Sequence, residues 1–327
     1  MNFLSLVAAC DNFPSGPVDD RYYLLYLPGD DQPHGYMLPE IVARMPFTST
    51  FEVNHEVPRR VNVLDQTKGD DTPGAINTAF QDLINICIEQ KTFRALAGVH
   101  SEPFVIPSAR YDRPVQVERF AAQLFGITHR GAHLVAYTFR DSKMLVWIPR
   151  RAAHLFTYPG MLDTTVAGGV KAGASPLQTI IEEANEEASL PEDFVRRLAR
   201  CRGTITHMSM SGEESPAEKG LVCPDYTFVY DMELPPDVVP RPNDDEVAGF
   251  TAMPVEDLKA AMLREEFKDD SAVVLVEFLI RHGIITPENE PDFVEITMRL
   301  HRRLPFRTWP RSTILPLDWS VLCSPPQ

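Results

Sequence analysis

Residues Ala167–Pro191 read AGGVKAGASPLQTIIEEANEEASLP. A glycine pair, Gly168 and Gly169, ends an apolar extended run that starts at Leu162, and glycine there lets a strand pass close beneath the next element. Ser175 is a hydroxyl N-cap and Pro176 occupies the first helical position, so a helix is expected over Ser175–Leu190. At about 100° per residue, Leu177, Ile180, Ile181, Ala184 and Ala188 share one helix face. Glu183, Glu186 and Glu187 gather on the edge beside it. Carboxylates so placed repel one another unless cations hold them. Oxygen-only donors suit magnesium or manganese, which keep waters and bridge to substrate phosphates. For EE-x-x-EE alone, a solvated acidic helix face is the simpler account. The glycine pair 14 and 15 residues before Glu183, with the cap between, favours the ligand account.

Outward from this helix, His133–Phe139 and Lys143–Pro149 read as two strands joined at Asp141–Ser142, and Leu162–Val170 as a third extended segment. Tyr226–Leu234 alternates as a fourth strand, and a proline-rich break leads to Val247–Met253. Helices are expected around Val255–Arg264, Asp270–Arg281 and Phe293–Arg303. Before Gly126, short apolar runs alternate with proline-rich breaks. Arg21–Leu27 reads as a strand, Pro28–Gly35 as a turn, and Leu38–Met45, Thr78–Gln90 and Val117–Phe125 as helices. The change of character predicts an N-terminal α/β domain over 1–128 and a second domain over 129–305. A loosely attached proline-rich tail over 306–327 completes the chain.

The helix segment resembles the Nudix box, G-x5-E-x7-R-E-U-x-E-E-x-G-U, with U a bulky aliphatic residue. Gly168 matches the first glycine, Glu183 the glutamate after the arginine, Glu186 and Glu187 the glutamate pair, and Leu190 the last aliphatic. Ala174, Glu182 and Ser189 stand where the box has glutamate, arginine and glycine. The stretches VWIPRRAAHLFTYPGMLDTTVAGG, YTFVYDMELP, DDEVAGFTAMPVEDL and VEFLIRHGIITPENEP look like the Nudix branch related to thiamine pyrophosphokinase. That branch carries an extra N-terminal domain, to which residues 1–128 are similar. In that branch the EEASLP ending recurs, so Ser189 is a branch feature. The resemblance implies a Nudix α/β/α sandwich behind an N-terminal α/β domain that walls the substrate pocket. It implies a hydrolase that cleaves a small-molecule diphosphate, thiamine diphosphate or a related analogue, to the monophosphate with Mg2+ or Mn2+. It gives the metal roles to Glu183, Glu186 and Glu187. Two other outcomes stay open: a Nudix-like protein that binds a ligand or catalyses a different step, motivated by Ala174 and Glu182, and a hydrolase of prenyl or nucleoside diphosphates.

Further candidates surround the box. Glu246, after Asp244 and Asp245, is the candidate catalytic base beside one of the paired glutamates; a loop charge run is the alternative. Arg150 and Arg151 end the preceding strand, where the resemblance implies phosphate contact and guanidinium geometry fits phosphate; a surface pair is the alternative. Lys171 could serve the same end or be a solvated turn lysine, and Gly168 and Gly169 complete the candidate substrate-binding set. His207 and His282 read more simply as a packed histidine and a helix C-terminal histidine. Trp147 reads as core, and Tyr158 as a residue that could stack on an aromatic substrate. No P-loop pattern is present, so kinase chemistry has no support.

Composition sets the outer bounds. Among 327 residues, 44% are hydrophobic and 24% charged, which fits a globular protein that buries its own core. Acids outnumber bases 46 to 31, and the net charge of -15 disfavours nonspecific nucleic-acid binding and anionic membrane surfaces. A metal or a local basic patch can still reverse the field inside a cleft, so an anionic small ligand fits. The five cysteines form no C-x-x-C pair and read as reduced thiols. MNFLSLVAAC lacks a basic n-region, and Ala272–Ile280 is too short to span a bilayer. A cytoplasmic protein without nucleic-acid or membrane partners is expected, its oligomeric state open.

Overall fold

A computed structural model describes residues 2–308 except 17–18, 98–101, 108–110 and 214. A first sheet has the order β2-β1-β4-β3, from β1 (Tyr23–Tyr26), β2 (Gly35–Met37), β3 (Phe51–Asn54) and β4 (Arg60–Val63). The helices α2 (Pro39–Arg44) and α3 (Thr72–Glu89) cover it, burying Leu25, Met37, Val61, Ile76, Phe80 and Leu83 in one core. α3 begins earlier than the apolar stripe alone predicts. Asp71 caps it by accepting the Gly74 N–H, and Pro73 sits in its first turn. The segment read as a helix over Val117–Phe125 divides instead. The ribbon β5 (Pro103–Val105) and β6 (Gln116–Glu118) precedes the short helix α4 (Arg119–Ala122).

A second, mixed sheet comprises β7 (His129–Arg140), β8 (Lys143–Arg151), β9 (Val166–Gly169), β10 (Arg200–Met210), β11 (Val222–Glu233) and β12 (Val247–Pro254). Its order is β10-β11-β7-β8-β12, with β9 also paired to β7. One face packs on α5 (Pro176–Ala188) and α6 (Glu192–Leu198), through Ala132, Leu134, Val166, Ile180, Ile181 and Ala184. The other face packs on α7 (Val255–Leu263), α8 (Asp269–Arg281) and α9 (Phe293–Leu300), through Val135, Ile148, Leu258, Phe278 and Ile296. Alternation along β7 sends successive side chains to opposite layers. The result is an α/β/α sandwich preceded by an additional α/β region, as the sequence predicts.

Two elements depart from the sequence pattern. The apolar start forms α1 (Phe3–Cys10), and its Phe3, Leu6, Val7 and Cys10 lie in the α8 core of the second sheet. The core around residues 129–300 thus draws on the first ten residues of the chain. β10 is a complete strand at the sheet edge, paired antiparallel to β11. The start of the C-terminal tail is also anchored: Leu304 and Phe306 are buried, and Phe306 meets Tyr36 edge-on at 4.6 Å. The tail beyond residue 308 lies outside the described residues.

The α8 layer is held by a buried acid. Asp231 on β11 binds Arg202 Nε at 2.6 Å and also Arg281, with His282 Nε2 3.3 Å away. Burial opposes its charge, but these partners outweigh burial and hold the carboxyl down to about 2. A depressed carboxyl stabilises the fold above its ordinary range near 3.8, and that contribution is lost as pH falls through about 2. Removing one partner from a buried pair leaves uncompensated charge, so Asp231→Ala should cost about 3 kcal/mol in denaturant unfolding. A variant within 0.5 kcal/mol (about the scatter of surface substitutions) would refute this role.

Candidate active site

The site forms where β9 passes under α5. Ser175 caps α5 through the Gln178 N–H at 3.1 Å, with Pro176 at its first position. The helix ends at Ser189, whose φ of 55° is left-handed, the conformation that explains a glycine in the box. Gly168 carries Glu183 against its backbone. A Cβ added at Gly168 would lie 2.3 Å from Glu183 Oε1, so no side chain fits there without expelling the carboxylate.

The carboxylates differ in setting. Glu187 is buried and accepts the Ala167 N–H. Burial, then the Glu183 charge, pushes its carboxyl well above the usual range. Glu183 is half-buried, and burial together with Glu186 pushes it up to about 7, against the pull of Lys171. Glu186 is exposed. Among the described residues no three acid, histidine or cysteine side chains already converge as a ligand set. The shared edge read from the helix is therefore two inner carboxylates and one outer one. The donor set still fits a hard divalent cation: oxygen donors only, mutually repelling, two of them driven towards the protonated form.

Glu246 is exposed, yet its charge acts on both Glu183 and Glu187, so the fold does bring it to the same place. Lys171 is near as well, bound to Glu102 Oε1 at 3.1 Å. The two arginines are engaged elsewhere. Arg150 donates to the Gly160 carbonyl at 2.8 Å, and Arg151 binds Asp163 at 3.2 Å and the Thr157 carbonyl at 3.1 Å. Arg151 thereby fixes the loop entering β9, with its Nε left without a partner, and Arg150 keeps an exposed guanidinium. Trp147 is in the core, as expected, and Tyr158 is exposed 6.0 Å from Lys268.

Glu182, at the arginine position of the box, accepts Gln178 Nε2 at 2.7 Å, a bond along its own helix that engages one carboxylate oxygen. Glu182→Ala should change magnesium affinity less than about threefold by calorimetry, where Glu183→Ala should cost tenfold or more. Equal losses in the two variants would make Glu182 a ligand.

The α8-facing side of the sheet holds polar groups that sequence reading missed. Asp163 is buried and accepts the Thr164 N–H, the Ser271 hydroxyl and Arg151, and its charge reaches Glu187. Asp270 pairs with Lys268 at 3.1 Å, and His133 binds Thr164 Oγ1 at 2.9 Å. Next to them, His207 is paired across strands with Asp225. His207 is 7% exposed and its Nδ1 has no hydrogen-bond partner, while Asp225 accepts from Thr227 Oγ1 at 2.8 Å and is raised by burial. Asp225 and Asp270 keep some accessible surface. A separate open cleft of about 540 Å³, lined by Asp65, Asp71, Tyr111 and Arg113, shares none of these residues.

The NUDIX domain model matches residues 128–278, which contain every element of this site except Glu102. An uncharacterized protein of Saccharomyces cerevisiae is 37% identical over 200 residues, covering 59% of this chain and 58% of that one. The Arabidopsis thaliana protein Nudix hydrolase 20, chloroplastic, is 32% identical over 263 residues, covering 78% of this chain and 66% of that one. The chain thus spans less than two thirds of the length of either relative. A solved NUDIX domain of Shewanella oneidensis NrtR, complexed with ADP ribose, is 15% identical with a TM-score of 0.37, covering 54% of this chain and 96% of that one. With the box on α5, the sandwich around it and the matched domain in agreement, residues 128–278 of this chain form a Nudix domain.

Proposed function

We propose that the chain is a metal-dependent diphosphohydrolase that converts an organic diphosphate to its monophosphate and phosphate. The observation that carries this is the pair Glu183 and Glu187 beside Gly168 of β9, Glu187 raised by burial and by Glu183, and Glu183 by burial and by Glu186. With Glu186 they would hold Mg2+ or Mn2+. Such a cation supplies Lewis-acid polarisation of phosphoryl oxygens. Water attacks the terminal phosphorus, the bridging P–O bond breaks, and the monophosphate leaves with the bridging oxygen. Glu246, or one of the paired glutamates, takes the proton of the attacking water; Glu246 is suited because it is exposed and faces the pair. Lys171 draws the anion towards the acidic edge.

Thiamine diphosphate or a related analogue is the proposed substrate. The reading rests on the resemblance of the chain to the thiamine pyrophosphokinase-related branch. The N-terminal region, 1–128, is proposed as the pocket wall, because Phe104 and Arg119 lie over Gly169. Cys10, Cys87, Cys201 and Cys223 are free thiols, which supports the cytoplasm as the proposed compartment. Among the described residues no helix is long and apolar enough to cross a membrane. Thiamine, prenyl and nucleoside diphosphates, compared with magnesium and with products identified by mass spectrometry, test the substrate. A kcat/KM at least about tenfold higher for the thiamine compound is expected. A preference for a prenyl or nucleoside diphosphate would overturn that assignment, and no product from any of them would favour a ligand-binding Nudix protein.

A further inference from the structure

The N-terminal region meets the loop before the acidic helix at Glu102. The β5–β6 pairing sets Pro103 opposite Glu118, so Glu102 and Arg119 leave the ribbon side by side, and the Arg119 N–H donates to the Glu102 carbonyl at 2.9 Å. The Glu102 carboxylate then joins two cations. Oε2 accepts Arg119 Nη1 at 2.8 Å, and Oε1 lies 3.1 Å from Lys171 Nζ. A second tie, the Ala172 N–H to the Pro103 carbonyl at 2.8 Å, fixes the loop carrying Lys171 to the same ribbon.

Arg119 therefore lies against β9 itself. A Cβ at Gly169 would stand 2.9 Å from Phe104 Cζ and 3.5 Å from Arg119 Cζ, one residue along from the glycine that abuts Glu183. The second glycine of the pair thus makes room for the N-terminal region, as the first makes room for the carboxylate. Phe104 and Phe120 flank the guanidinium, at 5.8 and 5.6 Å, and set its plane. Neither cation is sealed into a buried pair: Arg119 is 43% exposed and Lys171 45%, while Glu102 between them is 24% exposed. In a chain of net charge -15, beside an acidic helix, two oriented cations with open faces need a reason. The bond to Glu102 uses one of five guanidinium donors, and the fork that remains matches phosphate oxygens.

We propose that Arg119, braced by Glu102 and set beside Lys171, is a phosphate clamp by which the N-terminal region binds the diphosphate at the Nudix helix. The inference rests on the hydrolase reading for its substrate but makes its own claim about binding. The alternative is a strut in which Glu102 merely holds two parts of the chain together.

The test uses the full chain with Arg119→Ala and Arg119→Lys, kinetics on thiamine diphosphate, and calorimetry with methylenediphosphonate and magnesium. Loss of one charge-assisted hydrogen bond corresponds to roughly 10- to 100-fold, so Arg119→Ala should raise KM and weaken methylenediphosphonate binding by that factor. The turnover number should change far less. Arg119→Lys keeps the charge and the link to Glu102, so a strut would be satisfied by it. A clamp needs the fork, and KM should still rise about tenfold. A lysine variant with wild-type KM and wild-type methylenediphosphonate affinity overturns the clamp, even if the alanine variant fails to fold. If wild type hydrolyses no diphosphate but binds methylenediphosphonate, and the variants lose that binding, the clamp stands and the hydrolase reading falls. If wild type hydrolyses and both variants keep its KM, the clamp falls and the hydrolase reading stands.

Discussion

Glu187→Gln is expected to lower diphosphate turnover by about 100-fold or more while leaving the fold intact. The amide has the size of the carboxylate and can still accept the Ala167 N–H, so packing under Val166–Gly169 is kept. What is lost is the charge that retains magnesium. The sign of the stability change separates this from simple damage. Glu187 is raised by burial, so its ionised form is a burden on the metal-free fold at neutral pH. Glutamine removes that burden, and the metal-free variant should melt no lower than wild type at pH 8. Glu183 gives the matching pH dependence. Its carboxyl moves from an ordinary 4.5 up to about 7, so its contribution to the metal-free fold is present below pH 4.5 and is lost as pH rises through 7. Magnesium should restore stability above pH 7 and lose its grip below it, by roughly tenfold per pH unit for each proton displaced. Thermal melts at several pH values, with EDTA or with magnesium, read both effects. Normal turnover by Glu187→Gln at limiting magnesium would remove Glu187 from the site.

The second large effect concerns the chain's first ten residues. The segment 129–305 holds α5 and the second sheet, and from sequence it would be expected to stay folded and keep most metal binding, with apolar surface exposed and KM raised strongly. The placement of α1 changes that expectation. Removing 1–128 strips Phe3, Leu6, Val7 and Cys10 from a core they share with Leu258, Phe278 and Ile296. Each large side chain there contributes about 1.5–3 kcal/mol, against a typical domain stability of about 5–15 kcal/mol. The truncated protein should therefore fail to unfold cooperatively. In the full chain, Leu6→Ala with Val7→Ala should lower the melting temperature by roughly 10 °C or more, with kcat per folded molecule unchanged. A truncated protein with a sharp transition, or a double variant melting like wild type, would show that α1 is dispensable.

These residues also show where sequence reading reaches and where it stops. The helix α5 is legible because its signals are local: Ser175 and Pro176 at the start, alternating apolar and acidic faces, and a glycine pair at fixed distance. β7 and β8 are legible from alternation on either side of a two-residue turn. α1 is not, because seven apolar residues with a single serine make no polar face, carry no helical period and are defined only by the helices they meet. β10 is hidden by Gly203 and the bulge between Cys201 and Gly203, and its first five residues are exposed, so no alternation appears. The start of α3 is signalled by the cap Asp71-Thr72-Pro73 and obscured by the polar residues after it. In the site, the carboxylates on one helix are readable together. Asp163 with Ser271, and Glu102 with Lys171, lie in different parts of the chain, and no local pattern joins them. Their pairing is a product of the topology.

The measurement closest to the central claim is phosphate release from thiamine diphosphate by the full-length chain, with magnesium and then with excess EDTA, run beside Glu183→Gln. Hydrolysis at the carboxylates of α5 predicts release of one phosphate per thiamine monophosphate formed, loss of activity in EDTA, recovery on adding magnesium, and little activity in the variant under any of these conditions. Equal rates with EDTA and with magnesium, or a Glu183→Gln protein that matches wild type, would contradict it.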